Sequence, residues 1–494
     1  MPLNEPLIFE QSVSGRKGCQ LPPRDVPALD PSTVLPEEMV SSTTLQLPEV
    51  AEFDVVRHFT RLSQWNFAVD THFYPLGSCT MKYNPKLNER VAAMPAFARV
   101  HPLQPESQVQ GTLQMLYELE RLLCAITGMG AFTLQPAAGA QGELTGLRII
   151  AAYHRRKRRQ RSVILIPDSA HGTNPASAAL AGFTVEKLRT GPNGLLDLQE
   201  LKQKLSPDVA ALMLTNPNTL GLFERDIATI AAVLHERDAL VYMDGANMNA
   251  LLGIARPGDM GVDILQLNLH KTFSTPHGGG GPGAGPVGVR TSLEDFLPIP
   301  RVEQQGSRYR WSAKSRTTVG RVHGFYGNVG VLLRAYVYLR TLGREGLIRA
   351  SETAIINANY LKARLKEAYT LPFDQPCMHE FVLSLSGLKR AGVNAWDVAK
   401  RLLDEGFYAP TVFFPLIVDE AFMIEPTETE SKETLDRFAD ALLRIAEDAK
   451  THPEDFHQAP QHMPVRRLDE VKAAREPNLR WVPTSQNAYE AKSR

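Results

Sequence analysis

Cysteine is scarce in this chain: Cys19, Cys79, Cys124 and Cys377 are the only four in 494 residues. They form no C-x-x-C pair and no metal-ligand spacing. That excludes a disulfide-built scaffold or a cysteine-ligated zinc module and reads as reduced, intracellular usage. Net charge is absent as well, because Lys+Arg and Asp+Glu both total 54. No global field then steers the chain toward nucleic acid or an anionic membrane. Long apolar runs are missing; nothing approaches the roughly 20 residues of a membrane helix. Met1-Pro-Leu-Asn-Glu-Pro-Leu has neither the basic start nor the apolar run of a secretory signal, and Glu5 and Glu10 are unlike an acid-poor transit peptide. A cytoplasmic location is the expectation. Internal repeats and low-complexity tracts are also lacking.

What is present suits a folded protein of more than one domain, at 43% hydrophobic and 22% charged residues. Residues 1 to about 50 are punctuated by Pro22-Pro23, Pro27, Pro31, Pro36 and Pro48, which rules out one long helix or a central strand. The middle alternates apolar runs with helical patterns. Strands are expected at Ser162–Pro167, Thr184–Leu188, Val209–Thr215, Ala239–Asp244 and Ile264–Asn268. Between two of them Ile227, Ile230, Ala231 and Leu234 repeat as one helix face. This is the pattern of an α/β fold with a mostly parallel sheet covered on both sides, binding its ligand beyond the carboxyl ends of the strands.

Beyond residue 325 helices are expected at Val329–Leu342 and Glu345–Ala368, interrupted near Gly343 and Gly346. Then come a strand at His379–Leu385, a helix at Ala395–Glu405, an extended piece at Phe422–Glu425 and a last helix with Ser431 as N-cap. That order suits a smaller α+β domain. The resulting division is an N-terminal arm at 1–80, a large domain at 81–325, the small domain at 326–450 and a coreless extension at 451–494.

Two strand-end residues carry the chemistry. Asp244 closes one apolar run and Lys271 follows the next, one βα unit later. A lysine amine that holds an aldehyde cofactor, with a carboxylate facing a pyridine nitrogen, is what pyridoxal phosphate requires. Taken singly, each residue is as well explained by an ordinary turn. His171, in Asp168-Ser-Ala-His-Gly-Thr-Asn-Pro, is a candidate to stack on the ring or move protons; satisfying loop carbonyls is the plain alternative. Pro136-Ala-Ala-Gly-Ala-Gln-Gly-Glu leads into the helix pattern Leu144–Ala152, and its small residues let an anion approach the backbone. No Gly-Lys-Ser/Thr follows, so this is not a P-loop and a nucleoside triphosphate is disfavoured. Asn216 is a candidate donor to the cofactor's phenolic oxygen, or simply part of an Asn-Pro turn. The glycine-rich run from Gly278 to Gly285 reads as backbone at the site mouth or as a plain loop. Arg155-Arg-Lys-Arg-Arg-Gln-Arg reads as a solvated helix C-terminus.

These strings resemble the P-protein family of the glycine cleavage system, in its two-subunit bacterial form. The matching segments are Phe73-Tyr-Pro-Leu-Gly-Ser-Cys-Thr-Met-Lys-Tyr-Asn-Pro, Gln135-Pro-Ala-Ala-Gly-Ala-Gln-Gly-Glu, Ser169-Ala-His-Gly-Thr-Asn-Pro, Leu214-Thr-Asn-Pro-Asn-Thr-Leu-Gly, Met243-Asp-Gly-Ala-Asn-Met-Asn-Ala, Leu269-His-Lys-Thr-Phe and Phe325-Tyr-Gly-Asn. The resemblance implies the aminotransferase-like fold type I and pyridoxal 5'-phosphate covalently bound to Lys271. It implies Asp244 at the pyridine nitrogen, His171 on the ring, Ala138, Gly139 and Ala140 near the phosphate, and Ala246, Asn216, His270 and Thr272 lining the cofactor. Catalysis by Lys271 and His171, decarboxylation of glycine and transfer of the aminomethyl group to the lipoyl arm of an H-protein follow from it. So does a heterotetramer with subunit 1, two copies of each. His72 and His323 depart from the family pattern, where a small residue and an arginine are expected; Arg321 or Arg316 would then substitute for the latter. The competing readings are a pyridoxal-phosphate decarboxylase of another amino acid and a non-catalytic partner subunit.

Overall fold

The computed structural model describes residues 5–41, 45, 47–277 and 283–481. The chain divides into two compact units, residues 1–67 with 459–494, and residues 68–458. In the first, the helix Glu52–Trp65 follows the proline-rich segment, which forms only short 3-10 turns at Ile8–Gln11, Pro31–Thr33 and Glu37–Met39. There Glu5 accepts from His58 and Arg61, and Phe9 stacks on Trp481 at 5.1 Å.

The second unit is built on a seven-stranded sheet. In chain order its strands are β1 (Ala131–Thr133), β2 (Val163–Pro167), β3 (Thr184–Leu188), β4 (Val209–Thr215), β5 (Leu240–Gly245), β6 (Ile264–Leu267) and β7 (Val287–Val289). Their spatial order is β1-β7-β6-β5-β4-β2-β3, and only β7 pairs antiparallel with its neighbours. Both faces are covered. Along β5, Leu240 and Tyr242 join one hydrophobic cluster while Val241 and Met243 join the opposite one. An unbroken apolar run is therefore a two-sided strand, each buried Leu, Val or Met stabilising by about 1.5–3 kcal/mol. Asp244 inherits the face of Tyr242, against which Gly146 of the helix Gly139–Arg156 packs; a Cβ at Gly146 would lie 2.4 Å from the tyrosine ring.

The five anticipated strands are present within a residue at each end. β1 and β7, three residues each, are too short to show a pattern; the helix Gln110–Thr127, whose Leu116, Leu119 and Leu123 do repeat at helical spacing, is not among the expected elements. Also unanticipated is the polar hairpin β8 (Arg301–Gln305) and β9 (Arg308–Ser312), turned at Gly306. The glycine-interrupted segment, Val329–Leu365, is two helices as expected, meeting at a break where Gly343 adopts φ 58° and ψ −173°.

The second, smaller sheet is antiparallel, with order β10 (Phe381–Ser384), β12 (Ala421–Ile424), β11 (Thr411–Val412). The helices Ala395–Asp404 and Lys432–Thr451 cover it, and Ser431 caps the latter by accepting from the Thr434 amide. The core here is Phe381, Phe422, Phe438 and Leu442, joined by Phe73 and Phe456. Phe456 corrects the expectation of a tail without a core: at 1% exposed it fills this one.

Candidate active site

The carboxyl ends of β1, β2, β4, β5 and β6 converge, and each sequence-derived candidate follows one of them. Asp244 ends β5 and is 4% exposed. Its Oδ1 accepts from the Ala246 amide at 2.9 Å and its Oδ2 from Asn174 Nδ2 at 3.0 Å, which fixes the orientation of the carboxylate. Lys271 sits in a single helical turn, Leu269–Thr272, straight after β6. Its ammonium acts on Cys79, Glu143, His171, His270, His277, His379, Glu380 and Glu425, so Lys271 is the charge around which the site is organised.

The helix starts at Gly139, five residues before the pattern expected, so the small residues Ala138, Gly139 and Ala140 are its cap and first turn. A helix start leaves its first amides free for an anion. Glycine is required at 139 because a Cβ there would lie 2.2 Å from Asn268 Nδ2, beside the Lys271 turn. Residues 278–282 of the glycine-rich run fall outside the described residues. Gly285 packs its α-carbon against the Ala138 carbonyl, where a Cβ would meet oxygen at 2.1 Å.

His171 lies exposed at the rim, enclosed by protein on its other sides, with Nδ1 held 2.8 Å from Thr173 Oγ1 and its ring edge-on to Phe414. That partial burial and then the Lys271 charge lower its pKa, so the ring is neutral at physiological pH. Asn216 is fully buried; its Oδ1 accepts from the Glu224 amide while Nδ2 has no partner among the described residues. Thr215 Oγ1, Thr272 Oγ1, His270 Nδ1 and His277 Nε2 are equally unpartnered and buried. Burial, followed by neighbouring positive charge, holds His270 at about 3 and His277 at about 4. Buried polar atoms without partners are rare in a finished fold. Five of them at and just beyond the ends of β4 and β6, with a helix start and a hydrogen-bonded carboxylate, fit a planar, polar, phosphorylated ligand.

Sequence reasoning missed several neighbours. Glu143, one turn into the helix, is buried beside Asp244; burial first and the Asp244 charge second raise its carboxyl to about 8. It stood unremarked in the Gln135 string, as Asn174 did in the Ser169 string. His277 follows Lys271 too closely for any periodicity to mark it. The basic run is the exposed C-terminus of the helix Gly139–Arg156, as expected, with Lys157 and Arg159 paired to Asp238 and Arg161 donating to the Val209 and Arg237 carbonyls. His323 lies in a loop whose Val322 bonds Gln135 and Gln141, next to the helix start. Arg316 instead lines a surface groove with Arg148, Arg155 and Arg156. His72 lines a separate groove with Glu405 and Arg437.

A family model described as "Glycine cleavage system P-protein" matches residues 26–302, and one described as "Glycine dehydrogenase, C-terminal domain" matches residues 350–465. The chain is similar to the probable glycine dehydrogenase (decarboxylating) subunit 2 of Caldanaerobacter subterraneus, 58% identical over 477 residues, covering 96% of this chain and 98% of the relative. Its counterpart from Chlorobium phaeovibrioides is 56% identical, covering 97% and 99%. Among solved structures, an inhibitor-bound glycine decarboxylase (P-protein) superposes with a TM-score of 0.72 at 22% identity, over 84% of this chain and 94% of that one. Lactobacillus brevis glutamate decarboxylase does so at 0.64 and 14%, over 84% and 95%. At such identities the likeness is one of fold, the pyridoxal-phosphate-dependent fold type I.

Proposed function

The chain belongs to the glycine cleavage system P-protein family, as a glycine dehydrogenase (decarboxylating) subunit 2, and from that premise we propose how its residues carry out glycine decarboxylation with transfer of the aminomethyl group to a lipoyl arm. The observation that carries the reading is the convergence of Lys271, Asp244 and unpartnered buried polar atoms at the strand ends.

Lys271 supplies the amine that holds the cofactor covalently through its aldehyde carbon. Pyridoxal phosphate, when bound, supplies an electron sink for the pair left behind when carbon dioxide departs. Asp244, oriented by Ala246 and Asn174, would hold the proton on the ring nitrogen. Asn216 Nδ2, buried without a partner among the described residues, would donate to the phenolic oxygen. Ala138, Gly139 and Ala140 present helix-start amides to the phosphate, and Ala246, His270 and Thr272 line the pocket. His171, neutral and at the rim, would orient the ring and handle a proton of the reaction. Residues 81–325 form the cofactor domain in this reading and 326–450 the small domain, whose core Phe73 and Phe456 join, with the rest of 1–80 and 451–494 as arms.

The subunit 2 relationship implies a subunit 1 partner. We assign a complex of two copies of each, a lipoylated H-protein as the acceptor and a cytoplasmic location; no helix among the described residues is long and apolar enough to cross a membrane. Exchange of labelled bicarbonate into the carboxyl of glycine, with this chain, subunit 1 and lipoylated H-protein each omitted in turn, tests the proposal. Exchange that needs all three and is abolished in Lys271→Ala is the expected result. Exchange that persists in Lys271→Ala, or none from a cofactor-loaded complex, sinks it.

A further inference from the structure

Beside Lys271, on the small-sheet side, lies a cluster that the proposed function has not used. Glu380 precedes β10 and Glu425 follows β12, and because Phe381 pairs with Ile424 the two carboxyls stand on adjacent antiparallel strands. Both are completely buried, as is His379. The loop that carries Cys79 is pinned across them. The Ser78 amide donates to Glu380 Oε2 at 2.7 Å and the Thr80 amide to Glu425 Oε2 at 2.9 Å, with Ser78 and Thr80 both at positive φ. Asn247, three residues beyond Asp244, donates to Glu380 Oε1 at 3.2 Å.

What remains faces inward. Glu425 Oε1 and both ring nitrogens of His379 have no partner among the described residues. His379 Nε2 stands 3.8 Å from Glu425 Oε1 and 4.0 Å from Glu380 Oε1, beyond hydrogen-bond length. Two carboxylates buried side by side cannot both stay charged, so the pair retains a proton. The groups facing it are Cys79 from the loop, Lys271 from the turn after β6, His379 and Glu428 from the small-sheet side, and Lys82, whose charge reaches His379. Burial drives the Glu380 carboxyl well above its ordinary range and Glu425 to about 7, while His379 is held neutral. The three ligand atoms lie within 4.8 Å of one another, a spacing a cation also uses. The amides already engaged on both carboxylates and the neighbouring Lys271 charge favour a proton over a metal.

The reaction needs such a proton. As carbon dioxide leaves, the electron pair on the glycine α-carbon attacks one sulfur of the lipoyl disulfide. A C–S bond forms and the S–S bond breaks, the disulfide being reduced. The second sulfur leaves with the S–S bonding pair and must be protonated. We propose that Glu425 is the acid that protonates this leaving sulfur through its free Oε1, with Glu380 as the positioning residue that keeps the proton on the pair and solvent restoring it after product release. This rests on the function proposed above.

The test uses Glu425→Gln, which keeps an acceptor for the Thr80 amide, in the complete complex with lipoylated H-protein. The readouts are single-turnover appearance of free thiol across neutral pH, and the carboxyl C=O infrared band of the cofactor-free chain. Wild type is expected to lose transfer rate as pH rises through about 7, in step with loss of a buried carboxyl band. Glu425→Gln should load cofactor normally, lack that band, and transfer at least about tenfold more slowly without the alkaline fall. Equal rates and pH profiles in the two proteins overturn the proposal. So does a wild-type minus Glu425→Gln difference spectrum without a carboxyl band near neutral pH, since Glu380 and Glu143 hold protons of their own in both proteins. Where Glu425→Gln misfolds, Glu425→Asp, which keeps an acid, must retain the alkaline fall in transfer, and its loss overturns the proposal. A band removed by stoichiometric Zn2+ or Mn2+ makes the trio a cation site and overturns it too. Absence of any aminomethyl transfer by wild type brings down the function and this step together, and is distinguished by needing no variant.

Discussion

Replacing Asp244 by asparagine separates the electrostatic role assigned to this carboxylate from any structural one. Asp244 accepts from the Ala246 amide and from Asn174 Nδ2. An asparagine keeps the first bond through its carbonyl and turns an N–H toward Asn174. Asn174 Oδ1 has no partner among the described residues, so rotating that side-chain amide presents an acceptor in the right place. The fold should therefore change by no more than about 1 kcal/mol, one hydrogen bond's worth. The charge has no substitute. A unit charge pair separated by roughly 4 Å at an effective dielectric of about 20 is worth about 4 kcal/mol. If the negative charge serves to keep the ring nitrogen protonated as electrons move into it, that is about three decades in kcat/KM. The assay is glycine–bicarbonate exchange in the assembled complex, with the melting temperature and cofactor absorbance recorded on the same sample. A folded, cofactor-loaded variant retaining more than about a tenth of wild-type kcat/KM refutes the reasoning, since little more than 1 kcal/mol would then be at stake.

Three further outcomes follow from the packing. The Glu143 carboxyl is raised in the folded chain from 4.5 to about 8, so the folded state binds that proton more tightly than the unfolded state does. Its contribution is favourable at low pH and is lost as pH rises between those values; Glu143→Gln should gain in melting temperature over wild type as buffers move from acidic to alkaline, and a constant difference contradicts this. Gly146→Ala drives a methyl against the fully buried Tyr242 ring, and a loss of about 1–3 kcal/mol in urea unfolding is expected, an unchanged midpoint counting against the packing described. Lys82 is fully buried and bonds Glu428, Asn249 and Tyr338. Lys82→Met strands the Glu428 charge and should cost about 3–5 kcal/mol, most of it recovered in Lys82→Met with Glu428→Gln; if the double variant is no better than the single, the ion pair is not the cause.

The order of strands and helices, and the two residues that matter most, were legible in the sequence because each rests on local pattern. Val209–Thr215 and Ala239–Asp244 are apolar without alternation, which only a strand covered on both faces tolerates. Asp244 and Lys271 stood out by ending such runs. The glycine pair at 343 and 346 marked the kink, although the chain stays helical through Gly346 and bends only where Gly343 takes a positive φ. Tertiary structure alone decided the rest. Strands of three residues such as β1 and β7 are too short to show a period, and the β8–β9 hairpin is mostly polar, with Val302, Tyr309 and Trp311 on its one packed side. The pairing of β10 with β12 sets Glu380 against Glu425 across 45 residues of chain, and the amides of Ser78 and Thr80 reach them from more than 300 residues away. Whether a glutamate there is a solvated charge or a held proton depends on burial and on its neighbours' charge, and those are properties of the packed chain, invisible in any stretch of its letters.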